Sequence, residues 1–361
     1  MKATPIQSMF TLLISCLFAT ASSSIEKLGT ADLSMVETTP VVWKGNLLRF
    51  ESVRNNYDNG IQNSSCLNTS CFQFRSVSTL AVTPHFGVNC SFGCAYVQTG
   101  SSRTTDNLDT MWVFGNCADQ KQQNVSAFSS NDLITWKEYP QALKLTGFGH
   151  TAVDYKFFNT NVHDDQHPNT HVMAIELGAP SDITGNPFTS VFAKHTGDNL
   201  GTNWKFLDPH TYVWPPIQPT HSYQGACPTI RWSSSSGYYY LFNLWSENGG
   251  YGTHVQRSKD LMTWESQKNK TVLDWKKDVE QDKGQPPRVA SKYYYTNFTK
   301  AQEMFIAKAE DINNSDIDFV DTVDGDVYIS YSWGNQEGTE FLGSAVVKGM
   351  TSEEWCVSLF D

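Results

Sequence analysis

The sequence has few charged side chains, and positive charge is the scarcer kind. Lys and Arg number 26 against 37 Asp and Glu, which gives a net charge of −11, and charged residues make up only 17% of the 361-residue chain. A chain this acidic does not neutralise phosphates, which argues against nucleic acid and against an anionic membrane surface as partners. Aromatic side chains are abundant instead, at 13% of residues, and this composition favours β structure.

The sequence also has no hydrophobic run long enough to span a bilayer. Residues 10–19 are apolar but too short, and they lie between Lys2 and an Ala-Thr-Ala pattern at 19–21. A weakly positive start, a short apolar run and small residues at a cleavage site are typical of a signal peptide. We therefore expect residues 1–21 to be removed and residues 22–361 to form a single secreted, soluble domain. A lone anchor helix is the alternative.

Seven cysteines remain once Cys16 is removed, and an odd number leaves one thiol free or paired between chains. Cys66 and Cys71 could close a small loop. Cys90 and Cys94 have no matching second pair, so a structural zinc site is not expected. We predict no bound metal and no cofactor.

Secretion has independent support from glycosylation sequons, in which Asn is followed two places later by Ser or Thr. These sequons also indicate exposed loops. They begin at Asn63, Asn68, Asn89, Asn124, Asn269, Asn297 and Asn313.

A seven-residue turn recurs along the chain. Residues 258–264 read Ser-Lys-Asp-Leu-Met-Thr-Trp, residues 130–136 nearly repeat them, and a worn version ends at Trp204. Ser and Asp can cap the backbone amides of their own turn, while Leu and Trp can be buried against the next sheet. Eroded copies at 74–80 and 349–355 extend the pattern over the chain. This spacing predicts an all-β, five-bladed β-propeller, with a β-sandwich as the alternative.

Apolar segments can be assigned to the blades. Blade one covers about 36–80, and blade four is the unit that opens at residue 226. Blade three is predicted to begin with a strand at 151–158. Residues 268–287 are rich in Lys and Asp, and we expect them to connect blades four and five. No helical domain is expected.

The recurring Ser-x-Asp-Leu-x-x-Trp turn and the blade-four segments Cys-Pro-Thr-Ile-Arg-Trp and Gly-Tyr-Tyr-Tyr-Leu-Phe resemble the five-bladed propellers of glycoside hydrolase families 43 and 32. The similarity covers residues 36–355. It implies a central cleft in which acids at the starts of the innermost strands of blades one, three and four cleave a glycoside. The turn also resembles the Asp-box of sialidases, so a six-bladed wheel is a minor alternative.

The acid positions of those families are not all kept. Carried onto this sequence, the blade-four position falls on Ala226, the blade-three position near Asn159 and the blade-one position near Glu37. Glycoside cleavage needs one protonated carboxyl for the leaving oxygen and one ionised carboxyl across the sugar. Alanine has no proton to give, so the standard mechanism of those families is not supported.

Other carboxylates could occupy the same space. The second strand of a blade runs antiparallel to the first, so its end lies on the face where the first strand begins. Glu51, Glu176 and Glu247 each lie at the end of a second strand. Crowded carboxylates push one another's pKa values apart, as acid–base catalysis requires. We predict these three and Glu37 as candidate catalytic residues, the alternative being solvated strand ends.

Substrate-binding candidates are aromatic or amide side chains near the same face. Trp245 and Trp333 occupy matched points in blades four and five and could stack on sugar rings, with Asn159 and Asn335 beside them. Core packing between blades is the alternative for both tryptophans. The His- and Asp-rich segment at 163–171 has metal-ligand chemistry, but we expect an exposed loop there, on the opposite face.

Three functions remain open. A glycoside hydrolase with a displaced acid pair predicts two carboxyls about 5–10 Å apart facing one pocket. A carbohydrate-binding propeller without hydrolysis predicts aromatic side chains and no such pair. An extracellular scaffold predicts a plugged axis and an exposed apolar patch. The family resemblance favours the first function, in a monomer whose partner is carbohydrate, with no nucleic acid and no membrane.

Overall fold

The computed structural model describes residues 24–33, 35–53, 66, 69–99, 109–117, 124–144, 156–178, 188–207, 222–247, 249–267, 271–276, 298–335 and 339–361. The predicted signal peptide and most of the predicted 268–287 connection lie outside these residues. No helix in the described part is long and apolar enough to cross a membrane.

The strands form five antiparallel blades, so the predicted β-propeller is confirmed. Blade one consists of β2 (Thr39–Trp43), β3 (Asn46–Val53) and β4 (Cys71–Ser76). Blade two consists of β5 (Cys90–Gln98), β6 (Thr110–Cys117), β7 (Asn124–Ser130) and β8 (Lys137–Lys144). Blade three consists of β9 (Lys156–Asp164), β10 (Thr170–Gly178), β11 (Phe188–Thr196) and β12 (Lys205–Phe206).

Blades four and five complete the wheel. Blade four consists of β13 (Ser222–Ser233), β14 (Tyr238–Glu247), β15 (Gly250–Ser258) and β16 (Glu265–Ser266). Blade five consists of β17 (Asn313–Asp321), β18 (Val327–Gly334), β19 (Glu340–Val347) and β1 (Glu26–Asp32). The N-terminal strand β1 pairs antiparallel with β19, so the two ends of the chain close the ring together.

The innermost strands β2, β5, β9, β13 and β17 surround the axis, and each contacts the next around the ring. The first strand of blade three is β9, which continues six residues beyond the end of the predicted strand at 151–158, while residues 151–155 lie outside the described residues. The reason is that β9 lines the axis with the buried polar residues Asn159, Thr160 and Asn161. A strand with this polar sequence lacks the apolar alternation by which half-buried strands are recognised.

The predicted Ser-x-Asp turns adopt the expected capping geometry. In blade four, the Asp260 carboxylate accepts hydrogen bonds of 2.8 Å from the backbone N–H groups of Met262 and Thr263. The Ser258 hydroxyl accepts 2.9 Å from the N–H of Leu261, which has a φ of 64°. These contacts hold a non-glycine residue in the left-handed region, and the leucine side chain is fully buried.

The turn at 130–136 in blade two makes the same set of bonds. The last predicted copy, at 349–355, is not such a turn. It contains the start of the helix α2 (Ser352–Ser358), which Thr351 caps. A longer helix, α1 (Lys300–Lys308), precedes blade five and is capped by Thr299. Both helices have a capping box, so the Thr-x-x-Glu/Gln spacing identifies their starts.

Two disulfides stabilise the first half of the wheel. Cys66 bonds to Cys71, as the sequence allowed, and Cys90 bonds to Cys117, which joins β5 to β6. The odd cysteine count predicted one free thiol, whereas the described residues include three, at Cys94, Cys227 and Cys356.

Candidate functional site: the axial pocket

A small open pocket of about 30 Å³ lies on the propeller axis where the innermost strands begin. All five blades contribute to its wall. Its acidic side chains come from blade one, through Glu37, and from blade five, through Asp316 and Asp318. Asn159 of blade three and Cys227 of blade four lie between them around the ring.

β-Bulges turn the innermost strands toward the pocket. The register of β5, β9, β13 and β17 shifts at this level, so two residues of each strand oppose one residue of the partner strand. Cys227 and Asp316 are bulge residues with φ values of 51°, and Glu37 has a φ of 53° just before β2. Non-glycine residues rarely adopt this left-handed conformation, and bulges often re-aim side chains at functional sites.

Three of these side chains converge. A carboxylate oxygen of Glu37, a carboxylate oxygen of Asp316 and the Cys227 Sγ atom all lie within 4.8 Å of one another. The three residues belong to consecutive blades of the ring, and each is partly exposed. Burial raises the pKa of the Cys227 thiol, and the neighbouring Asp316 and Glu176 raise it further.

Glu176 lies directly behind this group. It is 4% exposed, and its Oε2 atom accepts hydrogen bonds of 3.1 Å from the Cys227 backbone N–H and of 3.1 Å from the Asn159 side chain. Burial raises the pKa of Glu176 to about 7, although both hydrogen bonds favour its ionised form. Glu176 therefore changes its charge near neutral pH.

Asn159 links two of the predicted carboxylates. The same side-chain nitrogen that donates to Glu176 lies 3.3 Å from Oε1 of Glu37. The two carboxyls are therefore separated by no more than the span of two hydrogen bonds. Of the residues predicted as catalytic, the structure brings Glu37 and Glu176 together, with Asn159 between them.

Below the pocket the axis is closed by an ion pair. Arg231 pairs with Asp318, and Asn161 donates a hydrogen bond of 3.0 Å to Asp318 and accepts one of 3.0 Å from Arg231. Burial raises the pKa of Asp318, although Arg231 opposes that shift. Asn161 and Asp318 line both this pocket and a second cavity, which Tyr96 and Arg231 also line.

Glu51 does not belong to the pocket, contrary to the sequence prediction. It is fully buried within blade one and bonded to Arg49, Gln73 and Arg75. Arg49 also pairs with Asp32 on β1, which belongs to blade five. Burial alone would raise the pKa of Glu51, but Arg49 and Arg75 hold it below its usual value. Glu51 is part of a buried ionic network between two blades.

Glu247 is not equivalent to Glu176. Glu176 lies opposite the bulge of its neighbouring strand, whereas Asn243 occupies that place in blade four. Glu247 ends β14 four residues later, where it pairs with Gly250. Its side chain lies outside the described part of the chain.

The two predicted tryptophan platforms are core residues, as the alternative held. Trp333 is fully buried among the apolar residues of blades four and five. Trp245 is 6% exposed and stacks on His254 at 4.2 Å. Neither lines the pocket, so neither is available to a sugar there. Asn335 bonds to Thr339 in a turn of blade five, away from the pocket lining.

A different aromatic group lies beside the pocket. The bulges of blades two and three carry Phe92 and Phe158, whose ring centroids are 5.5 Å apart. Phe188 continues the row at 5.6 Å from Phe158, and all three rings are partly exposed. Their chain neighbours Gly93 and Asn159 line the pocket. The bulges of blades two and three therefore carry aromatic rings beside the pocket, while the pocket lining itself is mostly polar.

Phe92, Phe158 and Phe188 were not predicted as site residues from the sequence, and neither were Asp316 and Cys227. Cys227 and Asp316 occupy the same place in their blades, at the bulge where the register with the second strand shifts. The bulges that turn them to the axis are not encoded in an apolar pattern, so alternation alone did not reveal them.

The predicted glycosylation sites fall in three groups. Asn89 is exposed and Asn124 is partly exposed. Asn313 is fully buried in β17, so the exposed loop predicted there is wrong, and a glycan would not fit. The remaining four lie outside the described residues: Asn63, Asn68, Asn269 and Asn297.

The propeller is similar to solved structures of carbohydrate-active enzymes. A thermostable family-43 glycoside hydrolase has a TM-score of 0.54 at 11% identity, over 91% of this chain and 97% of its own. A Podospora anserina α-L-arabinofuranosidase in complex with cellotriose has a TM-score of 0.50 at 9% identity, over 91% and 98%. The chain is a five-bladed β-propeller.

A third similar structure has a different chemistry. An N-acetylgalactosamine deacetylase from F. plautii, in complex with blood group B trisaccharide, has a TM-score of 0.52 at 11% identity, over 93% of this chain and 98% of its own. No protein-family model matches the sequence, and no curated protein is similar to it. Identities this low show the fold alone, so the function has to be argued from the pocket.

Proposed function

We propose that this protein is a secreted carbohydrate-active enzyme that hydrolyses a glycosidic bond in the axial pocket. The observation that carries the proposal is the pair of carboxyls of Glu37 and Asp316, whose oxygens lie within 4.8 Å of each other in an open pocket. Two carboxyls side by side in one pocket offer the acid and the nucleophile that glycoside cleavage uses. One protonated and one ionised carboxyl are what glycoside cleavage requires.

The hydrogen bonds favour one assignment of roles. Asn159 approaches Glu37 with an N–H donor, which stabilises the ionised form of that carboxyl. Glu37 is then the nucleophile, and Asp316 donates its proton to the leaving oxygen. The bond from the anomeric carbon to that oxygen breaks as a bond to Glu37 forms. Water, deprotonated by Asp316, then attacks the same carbon, and the bond to Glu37 breaks and releases the sugar.

The short spacing of the pair favours retention of anomeric configuration. Retaining enzymes place their carboxyls about 5–5.5 Å apart, whereas inverting enzymes need about 6.5–9.5 Å to admit a water molecule. Glu176 contacts neither the open pocket nor a substrate position directly. It is a positioning residue, because it holds the Cys227 backbone and the Asn159 amide that adjoin the pair.

The aromatic side of the bulge ring supports a sugar as the ligand. Phe92, Phe158 and Phe188 provide partly exposed rings on which the apolar face of a pyranose can stack. Structures of similar fold have been solved with cellotriose and with a blood group trisaccharide. Secretion is supported by the apolar N-terminal segment and by two disulfides, which persist in oxidising compartments.

The test is a screen of aryl glycosides and oligosaccharides against the wild type, Glu37→Gln and Asp316→Asn. We expect turnover by the wild type and a loss of about 1,000-fold or more in kcat/KM for either variant. Glu138→Gln and Asp324→Asn, which change exposed acids outside the pocket, are the matched controls. Equal turnover in wild type and both pocket variants would overturn the assignment.

The absence of an acid at Ala226 favours a second candidate function, a propeller that binds carbohydrate without cleaving it. The side chain there is apolar and 3% exposed, so it cannot serve as a proton donor. Glycan binding that depends on Phe158, without turnover of any glycan that binds, would support this second function.

A further inference from the structure

We propose that Glu37, Cys227 and Asp316 form a binding site for a divalent transition metal of the zinc type at the mouth of the axial pocket. The three donor atoms already lie within 4.8 Å of one another. A tetrahedral zinc ion needs oxygen and sulfur ligands about 3.4–3.6 Å apart, given its bond lengths. Small rotations of these partly exposed side chains would bring the donor atoms from within 4.8 Å of one another to the spacing that zinc needs.

The donor set selects the class of metal. Calcium and magnesium take oxygen ligands, whereas a thiolate beside carboxylates suits zinc and its neighbours in the transition series. Binding deprotonates the thiol, because the thiolate is the form that ligates a metal. The pocket is open, so a fourth position would remain available for water or for a ligand.

A second observation points to a ligand in the same place. The Thr38 side chain lines this pocket and is 2% exposed, and its hydroxyl has no hydrogen-bond partner among the described residues. Buried hydroxyls are normally satisfied, so an unpaired one in a pocket wall can still accept or donate a hydrogen bond to a group that binds there. Water or another small ligand on the metal would meet this need.

The site also has a consequence for the proposed function. Glu37 and Asp316 cannot act as nucleophile and proton donor while they ligate a metal. If the pair hydrolyses glycosides as proposed, zinc inhibits that reaction. Metal binding itself does not depend on hydrolysis, so the two proposals can fail separately.

The test measures zinc binding directly in the purified full chain, by competition with a chromogenic chelator. We expect one equivalent of zinc in the wild type and about 100-fold weaker binding in Cys227→Ser and in Asp316→Asn. Cys356→Ser, which changes a buried thiol in α2, and Asp324→Asn are the matched controls. Thermal unfolding of each variant shows whether it is folded.

Cobalt substitution identifies the ligands. A thiolate-to-cobalt charge-transfer band is expected in the wild type and in Cys356→Ser but not in Cys227→Ser. Wild-type protein that binds no zinc, or variants at Cys227 and Asp316 that bind it as tightly as the wild type, would overturn the metal site. Zinc binding without any glycoside turnover would leave the site standing and remove the proposed hydrolase.

Discussion

The backbone N–H of Cys227 donates a 3.1 Å hydrogen bond to the buried carboxyl of Glu176. This bond joins blade four to blade three behind the axial pocket. It places an ionisable group that faces the protein interior in contact with the backbone of a residue that faces the pocket. A change of charge at Glu176 therefore changes the strength of its hydrogen bond to Cys227, which lines the pocket.

Replacing Glu176 by Gln should remove a pH dependence of stability. The pKa of this carboxyl rises from 4.5 to about 7 on folding. Between these values the folded state keeps the proton that the unfolded state releases, so wild-type stability falls as pH rises and levels off above pH 7. Over this pH range the free energy of unfolding of the wild type should fall by roughly 3 kcal/mol more than that of the variant. Denaturant unfolding of both proteins at pH 4.5 and pH 8 measures this difference. The same change in unfolding free energy with pH in both proteins would contradict the prediction.

Gly178→Ala should weaken carbohydrate binding without a direct contact to the sugar. A Cβ atom at Gly178 would lie 2.5 Å from Cε2 of Phe158, so the ring must move out of its row. We expect a loss of about 1 kcal/mol, or roughly fivefold in Kd. Calorimetry with a glycan found in the screen measures it. An unchanged Kd, where Phe158→Ala raises Kd, would show that the position of the ring does not matter.

Glu51→Gln should destabilise the fold without a specific effect on activity. The change leaves the partly buried Arg75 without a carboxylate partner and the buried Arg49 with Asp32 alone, and we expect a loss of about 3 kcal/mol in the free energy of unfolding. Because the folded-state pKa is lowered from 4.5, this stabilisation is present above pH 4.5 and lost as pH falls.

The matched control for Glu51 is Glu26→Gln, which breaks an exposed pair with Lys348 and should change stability by less than about 1 kcal/mol. Activity of the folded Glu51→Gln protein should equal that of the wild type. A selective loss of kcat in a stable variant would return Glu51 to the catalytic candidates.

Leu261→Ala should show that the recurring turn stabilises the contact between blades. The leucine is fully buried among residues of blades three and four, so its truncation should lower the free energy of unfolding by about 2–5 kcal/mol. The neighbouring Met262 is 48% exposed, and Met262→Ala should have little effect. Similar midpoints for the two variants in urea would mean that the turn acts through its backbone bonds alone.

Local sequence determined much of the architecture. The Ser-x-Asp-Leu-x-x-Trp turn encodes its own geometry, because Ser258 and Asp260 bond to amides no more than three residues away. The helix caps at Thr299 and Thr351 follow from the same short-range chemistry. Two clear copies of this turn, together with the spacing of the tryptophans, predicted a wheel of five blades, although the last expected copy begins a helix.

The composition of the pocket was only partly predictable. Glu176 was predicted from its place near a strand end, and Glu37 and Asn159 from the acid positions of the families that the sequence resembles. Asp316 was not, since its distance to Glu37 depends on closure of the ring between the last blade and the first.

What the sequence by itself determined is the set of turns, strands and caps, since each depends on contacts within a few residues. Which carboxylates meet was decided by the tertiary structure. Glu51 and Glu176 both lie near the ends of second strands, yet one bonds to arginines of its own blade and the other to the next blade's Cys227. A shift of one residue in a strand turns a side chain to the opposite face. Bulges and blade contacts, which no local pattern encodes, set that register.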